Sequence, residues 1–262
     1  MDAENHNALN VCLYGAGGKR WDKRWTMTER GRSALQRSAS EWRLGPSRMA
    51  WNGSAVTVNI DEVGMPIPQR VLGSVVLHPQ ALCNFVTPLD AAGHHHWGPI
   101  APCARIQVDL HQPRLRWSGN AYMDSNQGNE PIAQAFNEWD WSRAQLADGS
   151  TAVIYDVRPS LGPDRVIAQR FAPDGSYTAF TAPPRQTMPR SAWGIQRTLR
   201  SSVGQAPRVL QGLEDTPFYA RALVQAGMLG ETVTAMHETL NVPRLNSVPV
   251  QLMLPWRMPR RA

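Results

Sequence analysis

A mainly β fold is predicted for this 262-residue chain by two observations. Its 20 glycines and 21 prolines are spread along the whole length, and few windows are free of both. Such a density of breakers leaves little room for long helices and favours short strands joined by turns. The second observation is a succession of segments with apolar side chains at every other position, the period of a strand with one buried face.

The elements follow in order. Ser54 to Val63 sets Val56, Val58 and Ile60 against Thr57, Asn59 and Asp61. Arg70 to His78 carries Val71, Val75 and Leu77 on one face and Leu72 and Val76 on the other, so this strand is expected to be covered on both sides. Arg105 to Leu110 turns Ile106, Val108 and Leu110 inward; beyond a turn at Gln112-Pro113, Leu115 and Trp117 continue the alternation toward Gly119 and Tyr122. Thr151 to Val157 and Val166 to Phe171 read as a hairpin around Gly162-Pro163, and Asp174-Gly175 as a tight turn into Tyr177 to Phe180. That many strands before residue 180 suffice for a barrel or a sandwich. Ala182-Pro183-Pro184 is the strongest boundary signal and predicts domains 1–180 and 181–262. Beyond it come a strand over Ala192 to Leu199, a short helix opening at Thr216-Pro217 and stopped by Gly227, and a strand over Thr232 to Leu240. Lys19-Arg20-Trp21 is echoed by Lys23-Arg24-Trp25, which reads as a small duplication in a loop.

Composition narrows the function classes. Apolar residues make up 42% and charged residues 18%, the balance of a globular chain. The net charge is +6, and Lys19 and Lys23 are the only lysines among 27 basic residues. An arginine-rich codon bias accounts for this, as does attraction to an anionic surface. No nucleic-acid-binding signature accompanies the charge, so a membrane surface is the favoured partner. Cys12, Cys83 and Cys103 are odd in number and lack a CxxC spacing, so neither a disulfide framework nor a zinc ribbon is predicted. The opening Met-Asp-Ala-Glu-Asn-His is unlike a secretory signal, and no apolar run reaches the ~20 residues of a spanning helix. These features predict a cytoplasmic protein, peripheral on the inner face of the cytoplasmic membrane.

Four clusters could carry chemistry. Gly93-His94-His95-His96-Trp97-Gly98-Pro99 holds three consecutive histidines. His94 and His96 share one face of an extended segment and could start a metal site, but His78 or His111 would have to complete it; a polar loop explains them as well. His95 points the other way. In Tyr122-Met123-Asp124-Ser125-Asn126 the phenol and the carboxyl project from one face, as a reactive pair or as a polar strand end running into a turn. Trp139-Asp140-Trp141-Ser142-Arg143 offers Trp139 and Trp141 as substrate contacts or as core. The fourth cluster, Glu214 to Arg221, offers Phe218 and Tyr219 as further substrate contacts. No Gly-x-Ser-x-Gly elbow, phosphate loop or dinucleotide fingerprint is present.

Taken in order, these strings resemble the bacterial acyclic carotenoid 1,2-hydratase (hydroxyneurosporene synthase) family. The resemblance also takes in Asn10 to Gly15, Met27 to Arg32, Leu213 to Arg221, His237-Glu238 and Arg257 to Arg260, and so runs over nearly the whole chain. It implies two lipocalin-like β-barrels with short helices. It further implies an acyclic carotenoid such as neurosporene or lycopene as substrate, and no cofactor or metal. The implied site is Asp124 as acid, surrounded by His95, Trp97 and Tyr122. His94, His96 and Gly98 stand where the family tends to carry Arg and a second Trp, a departure that bears on pocket shape. An isolated alkene is so weak a base that its acid must be a neutral carboxyl, which burial favours. Asp124 is therefore expected at the end of an apolar tunnel, with His95 either taking a proton from water or orienting the acid. A lipocalin-like carotenoid or lipid carrier, and an isomerisation or pericyclic reaction on the same fold, are the alternative readings.

Overall fold

A computed structural model describes residues 3–15 and 23–261. The strands are β1 (Asn7–Leu13), β2 (Arg24–Arg30), β3 (Leu35–Arg37), β4 (Glu41–Leu44), β5 (Ser47–Trp51), β6 (Val56–Val63), β7 (Arg70–Pro79), β8 (Thr87–Pro88), β9 (His95–Gln112) and β10 (Leu115–Gly128). They continue with β11 (Phe136–Gln145), β12 (Thr151–Pro159), β13 (Arg165–Phe171), β14 (Tyr177–Ala179), β15 (Arg185–Met188), β16 (Arg197–Arg200), β17 (Arg208–Asp215), β18 (Tyr219–Met228), β19 (Glu231–Asn241) and β20 (Arg260–Arg261). Three short helices, α1 (Ile132–Ala135), α2 (Val242–Leu245) and α3 (Val248–Arg257), complete the described α-helices, and none is long and apolar enough to cross a membrane. Lys19, Arg20 and Trp21 of the expected duplication lie outside the described residues; Arg24 and Trp25 open β2.

The chain packs as two compact units, and they do not follow the expected 180/181 division. One holds the described residues of Met1–Pro79, Ala104–Ala121 and Gln251–Ala262; the other holds Gln80–Cys103 and Tyr122–Val250. The reason is strand pairing across distant sequence. β11 pairs with β12 on one side and with β19 on the other, so Trp139 lies opposite Leu240. The resulting sheet runs β14-β13-β12-β11-β19-β18-β17 and mixes strands from both sides of Pro183-Pro184, which merely connects β14 to β15. Nor does either large sheet close: the hydrogen-bonded order of the seven strands ends at β14 and β17, and that of the other sheet at β10 and β3. The fold is mainly β, and among the described residues neither of the two expected barrels is closed.

In the first unit Ile60, Val71, Val108 and Leu110 form the core, as their alternation predicts. The same inward face of β6 carries Glu62, whose side chain is 0% exposed and pairs with Arg30 through two 3.0 Å hydrogen bonds. Ser47 Oγ donates a third bond to Glu62 at 2.7 Å. Leu115 and Trp117 do not extend that core. They lie 40% and 45% exposed on β10, an edge strand of its sheet.

In the second unit the seven-stranded sheet is buried on both faces. Leu89, Trp97, Phe136, Tyr155 and Phe171 lead the cluster on one face. The other carries small residues, Ala222, Val224 and Ala226, packed with Met188 of β15 and Leu199 of β16. The expected helix at Thr216 is instead a turn followed by β18. Thr216 N donates to Tyr219 O at 2.8 Å and Tyr219 N donates to Thr216 Oγ1 at 2.9 Å, after which the chain pairs with β17 and β19. Ala220, Ala222, Val224 and Ala226 are buried at every second position, a strand period that outweighs the Thr-Pro start signal. The β18–β19 hairpin turns on Leu229 and Gly230, both at positive φ (50° and 84°), as a two-residue turn requires. The strand expected over Ala192 to Leu199 shortens to β16, because Ser191 to Gly194 forms a turn closed by Gly194 N donating to Ser191 O.

Candidate active site

Every residue of the candidate site lies in the second unit, on two walls. One wall is the aromatic face of the seven-stranded sheet. In β11 Trp139, Trp141 and Arg143 alternate with Asp140, Ser142 and Ala144, and the register sets Trp141 opposite Tyr155 of β12 and Glu238 of β19. The other wall comes from the start of β9, where His95 and Trp97 share a face, and the end of β10, where Tyr122 and Asp124 do.

Trp97, Tyr122 and Asp124 meet. Trp97 Nε1 donates to Asp124 Oδ2 at 2.8 Å, and the Tyr122 hydroxyl donates to the same oxygen at 3.1 Å. Trp97 is 1% exposed and stands edge-on to Tyr155, Phe85 and Phe171, with ring centroids 5.6, 6.0 and 6.4 Å away. Tyr122 packs against Trp141 at 5.6 Å, and the Arg143 guanidinium lies 5.1 Å over the Tyr122 ring. Burial raises the Asp124 pKa above the ordinary carboxyl value, against the pull of the Trp97 and Tyr122 donors and the Arg143 charge. Burial likewise pushes the Tyr122 phenol well up, helped by the neighbouring Asp124. The site therefore favours a neutral acid next to a neutral phenol.

His95 takes a different place from the one expected of a base beside the acid. Its backbone N donates to Asp90 Oδ2 at 2.7 Å, while His94 N donates to Asp90 Oδ1 at 3.1 Å. Burial alone would raise the Asp90 pKa, but these backbone donors bring it below the ordinary value. The His95 ring stands edge-on to Phe136, with centroids 4.8 Å apart, and Nε2 lies 3.7 Å from Glu130 Oε1. Among the described residues no hydrogen bond joins His95 to Asp124. Gly128, four residues beyond Asp124 on β10, abuts the imidazole so closely that a Cβ there would fall 2.4 Å from Nδ1. Gly128→Ala is accordingly expected to shift the ring or the strand end and to lower turnover about 10- to 100-fold, measured as product formed per enzyme.

Of the remaining candidates, Trp139 stacks edge-on to Phe136 and Tyr155 at 5.6 and 6.3 Å. Phe218 and Tyr219 pack on the same cluster. The Trp141 Nε1 is buried without a hydrogen-bond partner. His94 Nδ1 pairs with Glu130 Oε2 at 3.0 Å, and the described residues include no group of three metal-ligating side chains. A groove of about 440 Å³ is lined by Phe85, Thr87, Arg165, Ile167, Gln169 and Phe180. It opens beside Phe85, an edge contact of Trp97, and Asp124 is not among its walls.

Two residues of this face, Arg143 and Glu238, stand inside strings read from the sequence but received no role there. Strand alternation was the signal available, since it puts Arg143 on the side of Trp139 and Trp141. It also separates Asp140 from them. Asp140 faces the opposite side, where Arg158 Nη2 and Thr198 Oγ1 each donate to it at 2.6 Å.

A family model described as carotenoid hydratase CrtC matches residues 1–262. The chain is 60% identical over 261 residues to the acyclic carotenoid 1,2-hydratase of Rubrivivax gelatinosus, covering 100% of this chain and 63% of that protein. It is 48% identical over 260 residues to the enzyme of the same name from Thiocapsa roseopersicina, covering 99% and 63%. With that of Cereibacter sphaeroides it shares 37% identity over 261 residues, covering 99% and 91%. The chain thus spans less than two thirds of the length of the first two relatives. A solved structure described as an AttH from Nitrosomonas europaea superposes with a TM-score of 0.61 at 14% identity, over 84% of this chain and 76% of that one. That likeness concerns the fold alone.

Proposed function

Because the chain belongs to the carotenoid hydratase family, we propose that it adds water across a terminal carbon–carbon double bond of an acyclic carotenoid, with Asp124 as the acid. The observation that carries this reading is a half-buried carboxyl hydrogen-bonded to two rings of an aromatic cluster and pushed toward its neutral form by desolvation. Trp97 and Tyr122 both donate to Oδ2. Oδ1 is then the oxygen that carries the acid proton. Transfer of that proton to the less substituted alkene carbon leaves a tertiary cation. Ring faces nearby, those of Trp97, Tyr122 and Trp141, stabilise it by about 0.5–2 kcal/mol each when desolvated. Water then captures the cation to give a tertiary alcohol. No cofactor enters this proposal.

His95 acts in it as a positioning residue: packed on Gly128, it holds the end of β10 that presents Asp124. Trp139, Phe218 and Tyr219 belong to the apolar surface against which the polyene would lie. We regard the antiparallel sheets as lipocalin-like in descent, consistent with a dry interior for a long apolar ligand.

A substrate that dissolves in lipid also calls for contact with a bilayer. On α3, Leu252 and Trp256 are 69% and 76% exposed at four-residue spacing, and Arg257, Arg260 and Arg261 follow. An interfacial aromatic beside cations suits an anionic membrane surface. Replacing Leu252 and Trp256 together by Ser is expected to reduce sedimentation with anionic vesicles about 10- to 100-fold. The hydratase reading itself is tested by supplying the chain with lycopene and separating the carotenoids by chromatography. A more polar hydroxylated product supports it; bound but unaltered lycopene would favour a carrier.

A further inference from the structure

In the hydratase reading His95 positions the end of β10, its Nε2 3.7 Å from Glu130 Oε1 and without a hydrogen-bond partner among the described residues, and the proton of the captured water is left unassigned. We propose that Glu238 is the second carboxylate of this centre and removes that proton from the attacking water. The proposal rests on the hydratase reading and adds a catalytic residue to it.

The geometry starts from strand register. Glu238 is the direct partner of Trp141 across β11 and β19, so their Cβ atoms stand about 5 Å apart on one face of the sheet. Trp141 in turn packs on Tyr122, whose hydroxyl is bonded to Asp124. Arg143, two residues along β11 on the same face, lies over the Tyr122 ring. Tyr122, Trp141 and Arg143 thus link the two carboxyls within one aromatic enclosure. Its charge arrangement is asymmetric. Arg221 Nη2 forms an ion pair with Glu238 Oε1 at 2.9 Å, and Arg221 is its direct cross-strand partner on β18. Among the described residues no cation is hydrogen-bonded to Asp124; its side-chain donors are an indole and a phenol. Burial raises the pKa of both carboxyls, and the ion pair with Arg221 marks Glu238 as the one to hold the negative charge. Burial raises the Glu238 pKa, and the Arg221 charge opposes it.

The proton inventory closes. The Asp124 O–H bond breaks as the alkene π pair forms the new C–H bond. Water's lone pair forms the C–O bond, and one water O–H bond breaks as its proton passes to Glu238. Turnover leaves Asp124 ionised and Glu238 protonated, so the pair holds one proton and one negative charge before and after the reaction. The half-buried Arg143 guanidinium feels both carboxyls and can balance the charge on either. Exchange with water returns the proton to Asp124 once the alcohol departs.

The test uses this chain, lycopene and D2O, with mass spectrometry of both product and recovered carotenoid. Wild type is expected to form hydroxylated product with one carbon-bound deuterium. Asp124→Asn is expected to give neither product nor label. Glu238→Gln keeps the shape but not the basicity. It is expected to hydrate about 100-fold more slowly, yet still to form the cation and return carotenoid that carries deuterium or a shifted double bond. Wild-type hydration by Glu238→Gln, or loss of labelling together with hydration, overturns the role of Glu238. Absence of product from the wild type fails the hydratase reading instead. If thermal melts show that Glu238→Gln does not fold, Glu238→Asp carries the comparison. Slowed hydration with labelling retained supports the base, and undiminished hydration overturns it.

Discussion

Asp124→Asn is expected to lower carotenoid hydration about 10³-fold while the protein gains stability at neutral pH. The loss follows from the chemistry: an amide accepts the Trp97 hydrogen bond as a carboxyl does, but offers no acid proton. The gain follows from linkage. Burial raises the folded-state pKa of Asp124, so its native environment favours the protonated form. That contribution is fully present below the ordinary carboxyl pKa and is lost as pH rises through the raised one. At neutral pH the carboxylate therefore costs stability, and an uncharged isostere removes the cost. Wild type and variant should converge in acid and diverge in favour of the variant as pH rises, as read by urea midpoints across pH. The rate has the same origin. Hydration should fall as pH rises through the raised pKa of Asp124, because only the neutral acid can protonate an alkene, and fall again in acid as Glu238 takes up a proton and ceases to be a base. Equal stability of the two proteins at neutral pH would show that Asp124 is not held out of water.

The second large effect concerns the first unit and has nothing to do with chemistry. Arg30→Met is expected to destabilise the protein by about 3–5 kcal/mol, measured by urea unfolding. Glu62 would stay behind on the core face of β6, 0% exposed, with Ser47 Oγ as its one remaining side-chain donor among the described residues. The pair itself need not be a net gain, because taking both charges out of water offsets much of their attraction. Arg30→Met combined with Glu62→Leu should therefore recover most of the loss. A double variant as unstable as the single one would mean that the bidentate geometry itself holds β2 to β6.

The aromatic site was more legible than the frame that holds it. Trp97, Tyr122 and Asp124 were selected by family resemblance, and strand alternation already put Tyr122 and Asp124 on one face. Alternation also located β6, β7, β12, β13 and β19 to within a few residues, because half-buried strands need an apolar residue at every second position. It misled where local signals competed. Thr216-Pro217 is a good helix start, yet β18 lies between two neighbouring strands, and the hydrogen bonds of that position outweigh the propensity of one dipeptide.

What the sequence by itself determined is the mainly β class, the family, and the choice of Asp124, Trp97 and Tyr122, whose side chains are now seen hydrogen-bonded to one another. These depend on local periodicity and on residue type, both of which can be read along the chain. Only the tertiary structure decided that Pro183-Pro184 joins strands of one unit, that the large sheets stay open among the described residues, that His95 packs on Gly128, and that Glu238 lies opposite Trp141 on the aromatic face of its sheet. Each of these depends on which strands pair and in what register. Pairing between Trp139 and Leu240 closes a loop of about a hundred residues, and no local pattern specifies that partner.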